Sequence, residues 1–182
     1  MTGRRMADSR RTALAAIAAI AAGAAGVAAH RLFRSDPAVP DVRPKNLRQL
    51  SLPDLAGKPQ SLTQWSDRVL LVNFWATWCE PCREEVPALV KMQSAFGGKG
   101  LQIVGISVDS VDKVVDFSLK FKINYPLLIA GYEVIELLRE LGNKVGSLPY
   151  TVILGRNGGV ITSHLGGLTE AELEKLLLKA LG

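Results

Sequence analysis

Apolar residues gather in this 182-residue chain in three kinds of run. The first is an uncharged stretch from Thr12 to Ala29, 18 residues that reach the lower length of a membrane-spanning helix. The second is short and nearly continuous. Val69-Leu70-Leu71-Val72-Asn73-Phe74-Trp75 and Leu101 to Val108 both read as strands buried on two faces. The third repeats at helical spacing, and Val86, Leu89, Val90 and Met92 predict a helix over 83–96, stopped by Gly97-Gly98 and kinked by Pro87. Val111 to Phe121 and Glu133 to Leu141 return to that spacing, the latter closed by Gly142. A last helix starts at Thr169, where Glu172 three residues on completes a capping box, and presents Leu173, Leu176, Leu177 and Leu181.

Shorter strands fill the gaps. Leu50 to Leu55 and Gln60 to Leu62 flank a turn at Gly57, and Tyr125 to Ile129 forms another strand. Tyr150 to Leu154 and Gly159 to Ser163 flank Gly155-Arg156-Asn157-Gly158, which suits a hairpin. Strand–helix alternation followed by a hairpin and a helix predicts an α/β fold, a central mixed β-sheet with helices on both faces and an N-terminal β-hairpin.

Charge separates the leader from the domain. Residues 1–45 carry eight Lys/Arg against three acids, whereas residues 46–182 hold 14 of each. The net +5 therefore belongs to the leader, and a neutral domain excludes a nucleic-acid footprint. Residues 1–34 read as a signal anchor or a signal peptide around the apolar segment 12–29. Arg4, Arg5, Arg10 and Arg11 precede that segment and place the N-terminus in the cytoplasm. Eleven alanines between Ala13 and Ala29 make insertion marginal, so cleavage at Ala22-Gly23-Ala24 or Val27-Ala28-Ala29 competes with anchoring. The run Ser9-Arg10-Arg11-Thr12-Ala13-Leu14 is loosely similar to a twin-arginine signal. Residues 35–46, with Pro37, Pro40 and Pro44, read as an extended linker, and residues 47–182 as the folded domain.

Two cysteines stand three positions apart, in Trp78-Cys79-Glu80-Pro81-Cys82. A structural disulfide framework needs more cysteines at wider spacing, and a zinc site needs more ligands. Half a zinc site or a chance pair would share the bare spacing. The strand before and helix after distinguish this pair, because they set Cys79 at a helix N-terminus where unpaired N–H groups favour thiolate. Cys82, deeper in the first turn, is placed to resolve a mixed disulfide, and Pro81 falls where a missing N–H costs nothing. Glu80 partly opposes the helix terminus, which favours a reducing couple.

The segment Val72-Asn73-Phe74-Trp75-Ala76-Thr77-Trp78-Cys79-Glu80-Pro81-Cys82-Arg83-Glu84-Glu85-Val86-Pro87 resembles the active-site segment of the TlpA/ResA branch of the thioredoxin superfamily. Gly146-Ser147-Leu148-Pro149-Tyr150-Thr151 is similar to its cis-proline loop, and 102–129 to its inserted strand–helix unit. The resemblance implies a thioredoxin fold and a thiol–disulfide oxidoreductase with Cys79 attacking and Cys82 resolving. It implies a cis Pro149 against the disulfide, the Leu148 backbone pairing with substrate, and Trp78, Glu80 and Pro81 supporting the site. Glu85 corresponds to an acid near the cysteines, able to raise thiol pKa values and shuttle a proton. Asn73 stands where thioredoxin has a buried aspartate, so Glu85 is its expected substitute. Tyr150 stands where threonine is common, and is expected beside the disulfide, where it would alter which partner fits.

The expected function is reduction of disulfides in exported proteins on the periplasmic side of a bacterial inner membrane. Substrates implied are apocytochrome c or a metallochaperone of oxidase assembly, with electrons from a membrane thiol carrier, because no NAD or flavin motif is present. No metal, no other cofactor and a monomeric chain are expected. Competing readings are an oxidase or isomerase of the same fold, a copper chaperone adding His164 to the cysteines, and a thiol peroxidase.

Overall fold

A computed structural model describes residues 47–182. The leader and linker expected over 1–34 and 35–46 lie outside the described residues.

The two apolar runs form the centre of the sheet. Strand β3 (Val69–Trp75) is buried at every position, and β4 (Leu101–Ser107) at all but Gln102. They pair in parallel with Asn73 opposite Gly105, and β5 (Leu127–Ile129) continues the parallel side beyond β4. On the other flank β6 (Tyr150–Leu154) lies antiparallel to β3, and β7 (Val160–Leu165) antiparallel to β6. The order is therefore β5-β4-β3-β6-β7. A separate hairpin, β1 (Ser51–Pro53) and β2 (Pro59–Ser61), reaches the outer edge through a bridge between Asp54 and Leu128.

Helix α1 (Glu80–Phe96) follows β3, α2 (Val111–Phe121) links β4 to β5, α3 (Val134–Glu140) precedes β6, and α4 (Glu170–Leu181) closes the chain. Asn73 points toward α1, with which α4 packs. Its neighbour Phe74 points the other way toward Tyr150, whose hydroxyl donates to the Leu141 carbonyl just after α3. Helices therefore cover both faces, and the thioredoxin fold is present. The capping box at Thr169 is complete, with Glu172 N–H donating to Thr169 Oγ1 and Thr169 N–H to Glu172 Oε2 at 2.9 Å.

Several boundaries differ from expectation. Helix α1 begins at Glu80, ahead of the apolar spacing that starts at 83, with Cys79 as N-cap where the cysteine motif places it, and it runs through Pro87 as one element. Tyr125 and Pro126 precede β5 rather than belonging to it, and proline cannot donate to a ladder. Leu62 starts a 3-10 turn, Leu62–Trp65, capped by Ser61. Strand β7 extends to Leu165, the register partner of Tyr150.

Two features fix the sheet at close range. A side chain at Gly105 would meet Leu127 Cδ2 at 2.7 Å and Trp75 Nε1 at 3.0 Å, so only glycine lets Trp75 lie across β4 onto Phe117, ring centroids 5.0 Å apart. At the start of β3, buried Arg48 donates to the carbonyls of Trp65 (2.8 Å) and Gly155 (2.6 Å). The described chain thus begins at the end of the sheet opposite the cysteines.

Candidate active site

Strand β3 delivers the chain to α1 through the turn Ala76–Cys79, in which the Cys79 N–H donates to the Ala76 carbonyl at 3.2 Å. Cys79 is extended (φ −84°, ψ 109°), as an N-cap residue must be, and its carbonyl accepts from Arg83 N–H. The two cysteines form a disulfide with Cα atoms 5.3 Å apart. Cys79 keeps 7 % of its surface exposed and Cys82 none. An incoming thiol therefore reaches Cys79 first.

The other supporting residues gather at this end of the sheet. Trp78 is 60 % exposed beside Cys79, and Glu80 and Pro81 are exposed in the first turn of α1. The Leu148–Pro149 peptide is cis. Tyr150 pairs with Phe74, so Leu148 and Pro149 continue β6 past the point where β3 gives way to the cysteine turn. Pro149 is buried and its carbonyl accepts from Gly166 N–H, whereas the Leu148 N–H and C=O are unpaired among the described residues.

Glu85 lies on the face of α1 turned to the sheet and is 3 % exposed. Asn73 Nδ2 donates to its Oε1 at 2.7 Å, and Leu168 N–H to its Oε2 at 3.1 Å. Burial pushes the carboxyl up to about 7, and the two hydrogen bonds hold it back only in part. Asn73 also donates to Thr151 Oγ1 at 3.1 Å, while its own Oδ1 has no hydrogen-bond partner among the described residues. The buried Tyr125 hydroxyl is raised by desolvation first and by the Glu85 charge second, so it stays protonated across the working pH range. A pocket of about 340 Å³ lined by Pro81, Glu84, Glu85, Gly167, Leu168 and Thr169 opens beside the carboxyl. A larger cavity, about 410 Å³ between the hairpin and β5, contains neither cysteine nor Glu85.

One expectation fails. Tyr150 does not project beside the disulfide, for it is 2 % exposed with its hydroxyl on the Leu141 carbonyl. Strand alternation explains this, since Phe74 and Tyr150 are a register pair and share the face opposite Asn73. His164 pairs with Thr151 on β7, and among the described residues no group of three His, Cys, Asp or Glu side chains converges. The residues that sequence reasoning missed are Thr151, Leu168 and Tyr125. Leu168 donates to the acid, Thr151 accepts from Asn73 and Tyr125 lies near the Glu85 charge; the only signal was that buried polar groups must find partners, which names none of them.

Residues 45–163 match the AhpC/TSA family. The chain is 34% identical over 137 residues to the thioredoxin-like protein YneN of Bacillus subtilis (strain 168), spanning 70% of this chain and 74% of that protein. It is 32% identical over 153 residues to the thiol-disulfide oxidoreductase ResA of Oceanobacillus iheyensis, spanning 81% of this chain and 73% of that one. A thiol:disulfide interchange protein of the thioredoxin family from Chlorobium tepidum TLS superposes with a TM-score of 0.68 at 29% identity, over 78% of this chain and 99% of its own. With a disulfide at the start of α1 and these relatives, the chain belongs to the TlpA/ResA branch of the thioredoxin superfamily and is a thiol–disulfide oxidoreductase.

Proposed function

We propose that the protein reduces disulfides of exported proteins, held outside the cytoplasm by its leader. The observation that carries this reading is the buried Glu85 carboxyl, held near neutrality, on the helix whose first turn bears the disulfide. In the reduced protein the Cys79 thiolate attacks a substrate disulfide, forming a mixed disulfide and releasing one substrate thiolate. Cys82 loses its proton to Glu85 and attacks Cys79 Sγ, releasing the second substrate thiolate. Two electrons pass to the substrate, and the Cys79–Cys82 disulfide is left for a thiol donor to reduce. A carboxylate near neutrality also raises the energy of a nearby thiolate, which favours donating electrons over storing them as a dithiolate.

Trp78, exposed beside Cys79, and the unpaired Leu148 backbone form the surface on which an extended polypeptide substrate lies. The uncharged stretch 12–29 with its arginine flank supports export, as anchor or as cleaved signal, with the domain on the periplasmic side. Among the described residues no helix is long and apolar enough to cross a membrane. Apocytochrome c and a cysteine-bearing metallochaperone fit as substrates because each must be reduced before it takes its haem or metal. A membrane thiol carrier fits as electron donor.

The test is a trap. Cys82→Ala leaves Cys79 joined to its substrate, and mass spectrometry of the trapped adducts from intact cells identifies the partner. Exported proteins bearing paired cysteines are expected. A potential near that of the strongly oxidising members, roughly −120 mV, would reverse the direction proposed here.

A further inference from the structure

The turn that carries Cys79 is tied to the neighbouring βα turn by a side-chain clamp. Thr77, two residues before Cys79, donates its hydroxyl to Asp109 Oδ2. Asp109 follows β4, and its side chain is only 6 % exposed. Its other oxygen accepts from Ser110 N–H at 2.8 Å and from Lys113 Nζ at 3.4 Å, in the first turn of α2. Asp109 N–H in turn donates to Ser107 Oγ at 3.3 Å. Every hydrogen bond of this carboxylate is thus local to α2 except the one to Thr77, which crosses between turns.

We propose that Thr77 and Asp109 are positioning residues for the attacking cysteine: the clamp holds the turn Ala76–Cys79 in the conformation that presents Cys79 and Trp78 to a substrate disulfide. This rests on the reading of Cys79 as the attacking thiol and deepens it. Backbone bonds hold the turn at two points, Cys79 N–H to Ala76 and Val108 N–H to Trp75, each at 3.2 Å. Neither fixes Thr77 or Trp78, which lie between them and are half-buried and exposed respectively. A hydrogen bond to an ionised, mostly buried acceptor is among the stronger kind. Asp109 stays ionised because its donors Thr77, Ser110 and Lys113 outweigh the burial that would raise its pKa. Attack on a disulfide requires in-line approach, and a nucleophile displaced by about an ångström can lose about a hundredfold in rate.

The test uses the full chain in detergent micelles, with insulin as the disulfide probe and dithiothreitol as the recycling reductant. Thr77→Val removes the hydroxyl at nearly constant shape, and Thr77→Ser restores it. Thr77→Val is expected to lower kcat/KM about tenfold, Thr77→Ser to stay within about twofold of the parent, and Thr77→Val/Asp109→Ala to be no slower than Asp109→Ala. Wild-type turnover by Thr77→Val, or an equal loss in Thr77→Ser, overturns the clamp. Additive losses in the double variant do so as well. If Asp109→Ala fails to fold, the Val/Ser pair decides the question. Failure of the underlying reading looks different: Cys79→Ser would accumulate a mixed disulfide with insulin while Cys82→Ser formed none.

Discussion

At the scale of single residues, the Glu85–Asn73 pair couples buried charge to pH. An amide suits this position because it offers a donor to the ionised carboxylate and, turned over, an acceptor to the neutral acid. An aspartate at 73 would set two carboxyls together and drive Glu85 higher still. The same burial makes stability depend on pH. Glu85 titrates at about 7 in the folded chain against an ordinary 4.5. Between those values the folded state binds the extra proton, so stability falls as pH rises from about 4.5 to about 7 and is flat on either side. The full difference amounts to about 3 kcal/mol. Glu85→Gln should remove that slope from the oxidised protein, so its stability relative to the parent improves with rising pH. Urea titrations across pH 4.5–8 measure it, and parallel pH profiles for parent and variant would refute the assignment.

Elements show how the sequence encodes its geometry at short range and hides it at long range. Gly105 illustrates the hidden part. Inside a buried strand it reads as a weak point, yet Trp75 and Leu127 pack into the space its missing Cβ leaves. Gly105→Ala should therefore destabilise by about 1–3 kcal/mol through overpacking. Thermal melting checks this, and a melt equal to the parent's would show that the layer can relax. What was legible were features written within a few residues: the apolar run of β3, the capping box at Thr169, and the cysteine pair at a strand–helix junction. The Glu85 site was half legible. An acid one turn after Cys82 could be placed on α1, but its donors come from β3 and from Leu168, 83 residues away. Tyr150 was misread because the side of a short strand is set by register, which follows from Phe74 on another strand.

The whole domain has two ends with separate duties. Cys79, Trp78, Leu148 and the Thr77–Asp109 clamp lie where the parallel strands finish. Arg48 lies where β3 begins, joining the first described turn, Leu47–Gln49, to the Trp65 and Gly155 carbonyls and so to the β6–β7 turn. That end of the sheet lies a strand's length of about 20 Å from the disulfide. Arg48→Met keeps the apolar stem but leaves buried carbonyls without their donor, at about 2–3 kcal/mol. For a domain of this size that corresponds to a drop of roughly 10 °C in Tm. Distant, unshared contacts make effects additive, so the reduction potential and the rate of insulin reduction below the melting range should match the parent. A lowered Tm with unchanged potential is the expected pair of results. A shifted potential in Arg48→Met would show instead that the far end of the sheet reaches the redox centre through β3.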